Sequence, residues 1–226
     1  MIEVKNLSKY YYHNREKICI FKDVSFQIKG KQSIALIGRN GAGKSTLLRL
    51  LSGIDLPDSG EIITNRSISW PIGSRDGFHP QISARQNIIF TCRLFLGKNE
   101  REMNKKISFI EEFADIGDFF DRPFKFYSAG MKARVAFALS MAFDFEFYLI
   151  DEITSAGDVS FRERSAILME QKLKNSNFIM VDHNLNALSK YCDKALLIKD
   201  NSIKLYSDID EAVKIHKQSF ESDKKI

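Results

Sequence analysis

The stretch Gly38-Arg39-Asn40-Gly41-Ala42-Gly43-Lys44-Ser45-Thr46 decides the fold. It matches G-x-x-x-x-G-K-[ST] and lies between a buried run, Ile34-Ala35-Leu36-Ile37, and a leucine-rich segment from Leu47 to Leu51. A strand, this loop and a helix together form a cradle for phosphates. Glycines let backbone N–H groups turn inward, and the helix N-terminus adds partial positive charge. We therefore predict an α/β core that binds a nucleoside triphosphate.

Each residue of this loop has an expected role. Lys44 should reach the β- and γ-phosphates, and the hydroxyl of Ser45 should bind Mg²⁺. The other phosphate contacts are expected from the rest of the loop, namely Gly38, Asn40, Gly41, Ala42, Gly43 and Thr46. A glycine turn without a ligand is the alternative, and the flanking strand and helix argue against it.

Two carboxylates end a second buried run, Phe147-Tyr148-Leu149-Ile150-Asp151-Glu152. At the carboxyl edge of a parallel sheet such residues lie beside the phosphate loop. We expect Asp151 to hold Mg²⁺ through water and Glu152 to act as the general base that activates the attacking water. A solvated strand end also carries acids, so it is the phosphate loop upstream that favours this interpretation.

The middle of the chain changes to helical periodicity, which predicts a helical subdomain over approximately 83–143 inserted into the α/β core. A further helix is predicted after the acid pair. The predicted helices are Ala84–Leu96, Asn99–Ala114, Ser128–Phe143 and Arg162–Leu173. We expect residues 1–226 to form a single nucleotide-binding domain.

Composition limits the class of protein. The net charge is +5 and 44% of residues are hydrophobic, which fits a globular chain that meets phosphates or an anionic membrane face. No apolar run approaches the roughly 20 residues that cross a bilayer. The three cysteines are odd in number and far apart, which argues against a disulfide framework or a zinc site. Any membrane role is therefore expected to depend on a partner protein.

The segment Tyr127-Ser128-Ala129-Gly130-Met131 precedes a predicted helix and resembles the LSGGQ signature of ABC ATPases. The resemblance implies that Ser128 and Gly130 of one subunit contact the γ-phosphate held by the other subunit of a homodimer. An ordinary helix N-cap is the alternative, because serine is favoured there. The order of the motifs along the chain favours the signature.

Three more positions fit the same family. His183 resembles its switch histidine, and Asp158 in Ser155-Ala156-Gly157-Asp158 resembles the acid of the loop that crosses the dimer interface. Tyr11 resembles the aromatic residue that stacks on adenine, with Tyr10 and Tyr12 as rivals. The resemblance covers essentially the whole chain. It implies a P-loop NTPase core, an antiparallel β subdomain and an inserted helical subdomain, with ATP and Mg²⁺ as cofactors.

One position departs from the family. A glutamine that reaches Mg²⁺ usually follows the strand after the phosphate loop, whereas this chain has Ile72 there. Gln81 and Gln86 lie nearby but out of register. The sequence does not say what replaces this ligand.

Within the family, the stretch Ser69-Trp70-Pro71-Ile72-Gly73 and the run from Asp151 to Asp158 resemble the polysaccharide-export branch. This implies an ATPase on the cytoplasmic face of the bacterial inner membrane that exports capsular polysaccharide. Its expected partners are a second copy, an integral membrane permease and, indirectly, periplasmic and outer-membrane export proteins, with no nucleic acid. Exporters of O-antigen or teichoic acid, a nucleic-acid-associated ABC ATPase and a phosphate-loop kinase are the alternatives.

Overall fold

A computed structural model describes residues 1–14, 16–75, 77–151, 158–174, 176–182 and 184–223 of the chain. The described residues form two compact units. The core unit comprises Met1–Pro71, Phe145–Glu152 and Ser176–Ile226, and the helical unit comprises Ile72–Asp144 and Ile153–Asn175. The assignment of the whole chain, 1–226, to one domain stays a prediction.

A three-stranded antiparallel sheet forms the first part of the core unit. Its strands are β1 (Ile2–His13), β2 (Glu16–Ile28) and β4 (Ser59–Thr64), in the order β2-β1-β4. The pairing of β1 with β2 shifts register between Lys9 and Tyr10, so that β2 carries one extra residue, Ile20, at this point. Such a bulge redirects side chains, and here it determines which residues face the phosphate loop.

A six-stranded sheet forms the second part, in the order β5-β6-β7-β3-β8-β9. Its strands are β3 (Ser33–Gly38), β5 (Ile68–Ile72), β6 (Phe147–Asp151), β7 (Asn177–Val181), β8 (Lys194–Lys199) and β9 (Ser202–Tyr206). Strand β3 pairs in parallel with β7 and β8, β6 pairs in parallel with β7, and β9 is antiparallel to β8. The parallel strands are apolar along most of their length, as expected for strands covered on both faces.

Helices cover the two faces of this sheet. Helix α1 (Lys44–Leu51) shares a core cluster with alternate β3 residues, Ile34 and Leu36. Among the side chains that the structure describes, this cluster includes none from α6 (Leu185–Tyr191) or α7 (Ile209–Asp223). Both α6 and α7 nevertheless contact β3. Since successive strand residues point to opposite faces, α6 and α7 cover the face opposite α1.

The helical unit contains α2 (Ala84–Leu96), α3 (Glu100–Ala114), α4 (Ala129–Ala142) and α5 (Val159–Leu173). The first three agree closely with the predicted helices, but α5 begins three residues before the predicted start at Arg162. The reason is a cap, because the Asp158 carboxylate accepts a hydrogen bond from the backbone N–H of Phe161 at 2.9 Å. Among the described residues, no helix is long and apolar enough to cross a bilayer.

Candidate functional site

The phosphate loop runs from the end of β3 at Gly38 to the start of α1 at Lys44. Gly41 and Gly43 have positive φ angles, 79° and 101°, which L side chains rarely adopt. A Cβ on Gly43 would also lie 2.6 Å from Ile20 Cγ2, and one on Gly38 would lie 3.2 Å from Ile198 Cβ. The chain therefore needs glycines here for its own conformation, apart from any ligand.

The Lys44 ammonium lies over this loop. Its Nζ donates hydrogen bonds to the backbone carbonyls of Gly38 at 2.9 Å and Arg39 at 3.0 Å. Phosphate oxygens are stronger acceptors for an ammonium than neutral carbonyls, because both partners are then charged. The arrangement thus holds the cation at the loop in a position from which it can turn to a bound phosphate.

The N-terminus of α1 is open to an anion. Gly43 provides no side-chain cap, and the first turn of the helix holds no acidic residue. The first N–H groups of a helix lack intrahelical partners and carry partial positive charge. An anion placed beside Gly43 therefore meets hydrogen-bond donors and a favourable field.

A cavity of about 440 Å³ joins this loop to the end of β6. It is lined by Ile20, Asn40, Gly41, Gly43, Lys44, Ser45, Thr46 and Asp151. The parallel strands bring Asp151, at the carboxyl end of β6, to the same edge of the sheet as Gly38, at the end of β3. Ser45 and Asp151 supply a hydroxyl and a carboxylate, which are oxygen ligands of the kind that Mg²⁺ prefers. A site with so few protein ligands leaves room for phosphate oxygens and water, so these residues fit Mg²⁺.

Two predicted catalytic residues, Glu152 and His183, lie outside the described residues, as do Ser155, Ala156 and Gly157. Their roles stay predictions. Their neighbours Asp151 and Asp182 are described, and each lines a cavity at the phosphate loop.

The three consecutive tyrosines of β1 divide between the two faces of its sheet. Ile20 and Phe21 both contact the Cβ position of Gly43, and Phe21 pairs with Lys9 across the sheet. Tyr11 lies two residues after Lys9 and therefore shares this face, which is the face of the phosphate loop. Its hydroxyl donates to Asp55 Oδ2 at 2.9 Å.

Tyr10 and Tyr12 occupy the other face. Tyr10 lies directly opposite Cys19, and its ring lies 3.7 Å below the Lys17 ammonium. Tyr12 is opposite Lys17 itself. The geometry thus favours Tyr11 among the three for the predicted stacking on adenine, and this role stays a prediction.

The predicted signature forms the start of α4. Ser128 is its N-cap, and its Oγ accepts a hydrogen bond from the Met131 N–H at 3.2 Å. Tyr127 before it is buried, donating to the Phe120 carbonyl and accepting from the Ala84 N–H. A Cβ on Gly130 would meet only Ser128 Oγ, at 3.9 Å. The conformation of α4 therefore does not require a glycine at this position.

Asp158 has a role that the sequence did not reveal. Besides capping α5, its carboxylate forms an ion pair with Arg134 on α4. The hydrogen bond from the Phe161 N–H, together with the charge of Arg134, lowers the pKa of Asp158. Asp158 thus ties α4 to α5, and its predicted place at a dimer interface stays a prediction.

Gln81 and Gln86, the two glutamines near Ile72, both form hydrogen bonds within the helical unit. The Gln86 side chain forms a capping box with Ser83 at the start of α2. The Gln81 Oε1 accepts a hydrogen bond from Lys125 Nζ at 2.8 Å. Ile72 itself is only 8% exposed. Both amide oxygens thus accept hydrogen bonds inside the helical unit.

Sequence reasoning missed His216 of α7. It lines a second cavity, of about 670 Å³, together with Gly38, Arg39, Lys44 and Asp182. The only sequence signal is its position in the stripe Ile209, Ala212, His216, whose spacing places all three on one side of α7. The sequence reveals that stripe once the helix is known. It does not reveal that His216 shares a cavity with the phosphate loop.

Comparison with known proteins gives one family and several full-length relatives. The family model described as ABC transporter matches residues 21–155. The polysialic acid transport ATP-binding protein KpsT of Escherichia coli is 45% identical over 93% of this chain and 99% of its own length. The capsule polysaccharide export ATP-binding protein CtrD of Neisseria meningitidis is 38% identical over 94% of this chain and 96% of its own length.

Among solved structures, the chain is similar to the ATP-binding cassette MJ0796 in a dimeric post-hydrolysis state bound to ADP and Pi. The TM-score is 0.73 and the identity 22%, with 92% of this chain and 99% of that chain covered. At this identity the likeness concerns the fold, and it confirms the α/β architecture with its antiparallel sheet and helical subdomain.

Proposed function

This chain belongs to the ABC transporter family of ATP-hydrolysing proteins, and we propose that it is the subunit that powers export of capsular polysaccharide, or a related lipid-linked glycan, across the bacterial inner membrane. The observation that carries the ATPase part is the convergence of Lys44, Ser45 and Asp151 on one cavity. The export part is supported by relatives named for polysialic acid transport and capsule polysaccharide export, which match nearly the whole chain.

The residues around the first cavity would hold Mg-ATP. Lys44 exchanges its carbonyl partners for phosphate oxygens, and the α1 N-terminus donates N–H groups to them. Ser45 and Asp151 would hold Mg²⁺, and the ion would supply positive charge that offsets the charge of the phosphates. Tyr11 lies on the face from which it can meet the base. In this proposal Glu152 would accept a proton from the attacking water, and His183 would contact the γ-phosphate.

A second copy would complete the site. Gly130 lies in the first turn of α4 with open space beside it, so its own chain gives no steric reason for a glycine. Close approach of a phosphate from another subunit supplies such a reason, since a Cβ would separate the helix N–H groups from it. We infer a homodimer in which Ser128 and Gly130 of one subunit face the phosphate loop of the other.

The helical unit would connect the ATPase to a permease on the cytoplasmic face of the membrane. On α2 the side chains of Phe90 and Leu94, one turn apart, are 59% and 68% exposed. Exposed apolar side chains next to each other are typical of a surface that another protein covers. Periplasmic and outer-membrane export proteins would take part only through that permease, and no nucleic acid is involved.

The function can be tested in the host bacterium. Deletion of the gene is expected to remove capsule from the cell surface and to leave the lipid-linked glycan inside the cell. The wild-type gene should restore export, whereas a Glu152→Gln variant at equal abundance should not. Loss of O-antigen or teichoic acid with an intact capsule would assign the chain to one of those exporters instead.

A further inference from the structure

Helix α7 buries a histidine where its own pattern calls for an apolar residue. Ile209, Ala212 and His216 form the buried stripe, and His216 is 9% exposed. Burying a polar ring costs free energy that an aliphatic side chain of similar size would not, so a histidine at this position needs compensating interactions. The residues that line a cavity together with His216 show which groups its ring can influence.

The second cavity is lined by this imidazole together with residues of the phosphate loop. Its volume is about 670 Å³, and its lining includes Gly38, Arg39 and Lys44 of the loop and His216 of α7. All of its described lining residues belong to the core unit. It shares Lys44 with the 440 Å³ cavity that holds Ser45 and Asp151. The His216 ring also interacts electrostatically with this ammonium, so a change of charge at His216 is felt by the group that is predicted to bind the nucleotide phosphates.

The charges around His216 come from three segments of the chain. Arg39 and Lys44 belong to the phosphate loop, Lys217 to α7 itself, and Asp182 to the segment after β7. The Asp182 carboxylate accepts the Asn184 N–H at 2.7 Å. Among the described residues that line the cavity, three cations thus stand against one carboxylate. A protonated His216 would be a fourth cation.

We propose that His216 is a positioning residue of the phosphate site, through which the C-terminal helix α7 is linked to nucleotide binding. The proposal rests on the nucleotide site described under Proposed function. A neutral imidazole lets α7 pack against β3 without adding to the positive charge of Arg39 and Lys44. Its protonation state is then coupled to whatever anion those two cations hold.

The sign of this coupling follows from electrostatics. In the free protein, burial and then the charges of Lys44 and Arg39 lower the pKa of His216 from its ordinary value of 6.5. A bound triphosphate offsets these two cations, so the pKa of His216 rises when nucleotide binds. A group whose pKa rises on binding takes up a proton with the ligand. Nucleotide affinity is therefore expected to increase as the pH falls through the range between these two pKa values.

The experiment compares His216→Leu and His216→Gln with Lys214→Gln, a matched control at an exposed position of the same helix. The dissociation constant for a non-hydrolysable ATP analogue with Mg²⁺ is measured between about pH 5 and 8. Protonation of the analogue is the same for every protein and cancels in the ratio to wild type. For both His216 variants this ratio should change at least about fivefold across the range, and for Lys214→Gln it should stay constant.

Ratios that stay constant within about twofold for the His216 variants would overturn the proposal and leave His216 with a packing role alone. If neither variant folds, the His216 ring protons are followed by NMR in the wild-type protein with and without the analogue. The midpoint of its titration should move to higher pH with nucleotide, and an unchanged midpoint would contradict the coupling. Failure of the wild-type protein to bind the analogue at any pH would instead refute the nucleotide site itself.

Discussion

The N-termini of α1 and α4 are similar in one respect and different in another. Neither first turn contains an acidic residue, so each presents N–H groups and partial positive charge. The α1 end is surrounded by Lys44, Ser45 and Asp151 of its own unit. The α4 end has a serine cap and, at Gly130, space that its own chain does not fill. We infer that α1 forms a nucleotide site and that α4 forms half of one.

The largest effect is expected on ATP hydrolysis, which in our proposal requires the N-termini of both α1 and α4. Glu152→Gln should slow hydrolysis by about 10²–10⁴-fold, because it removes the general base but leaves the phosphate contacts at α1 in place. ATP binding should persist, and dimers bridged by ATP should accumulate. Single-turnover hydrolysis and light scattering measure the two outcomes. Wild-type turnover by this variant would remove Glu152 from its role.

The next effect concerns the α1 end alone. Lys44→Ala should weaken ATP binding by about 10–100-fold, because charge-assisted hydrogen bonds contribute roughly 1.5–3 kcal/mol. Isothermal titration of the isolated protein measures this, with Lys172→Ala as a control at a lysine that pairs with Asp144 in the helical unit. Equal affinities for wild type and Lys44→Ala would show that the loop is not the phosphate site.

The corresponding change at the α4 end separates stability from activity. Gly130→Ala should stabilise the fold by up to about 1 kcal/mol, because alanine is the better helix former and its Cβ has room. The same Cβ should reduce hydrolysis by about tenfold, the equivalent of one charge-assisted contact, through poorer approach of the second subunit. Thermal unfolding measures the expected gain in stability, and steady-state ATPase assays measure the expected loss of hydrolysis. A rise in stability with unchanged turnover would contradict the half-site.

The smallest effect tests the departure from the family pattern. Gln86→Ala should cost about 1 kcal/mol of stability, because it breaks the capping box at the start of α2. The Mg²⁺ dependence of hydrolysis should not change, since this amide is used inside the helical unit. Denaturant unfolding and a Mg²⁺ titration check the two parts. A shift in the Mg²⁺ dependence would instead make Gln86 the missing ligand.

The positions of several candidate site residues at the ends of strands and helices were predictable, because the patterns that indicate them are short and local. The phosphate loop, Asp151 at its strand end and Ser128 at its helix start are local patterns, and the structure places each at the end of the predicted element. The choice among Tyr10, Tyr11 and Tyr12 was not predictable. Strand alternation leaves two of three consecutive residues on one face, and the bulge at Ile20 decides which face meets the loop.

By itself the sequence determined the family, the helices in the middle of the chain and the position of the phosphate loop between a strand and a helix, because these depend on short patterns and on spacing. Only the tertiary structure decided that Ile20 packs on Gly43, that Asp158 pairs with Arg134, and that His216 lines a cavity with Lys44. Each of these contacts joins residues far apart along the chain. Their distance depends on how sheets and helices pack, which no local pattern encodes.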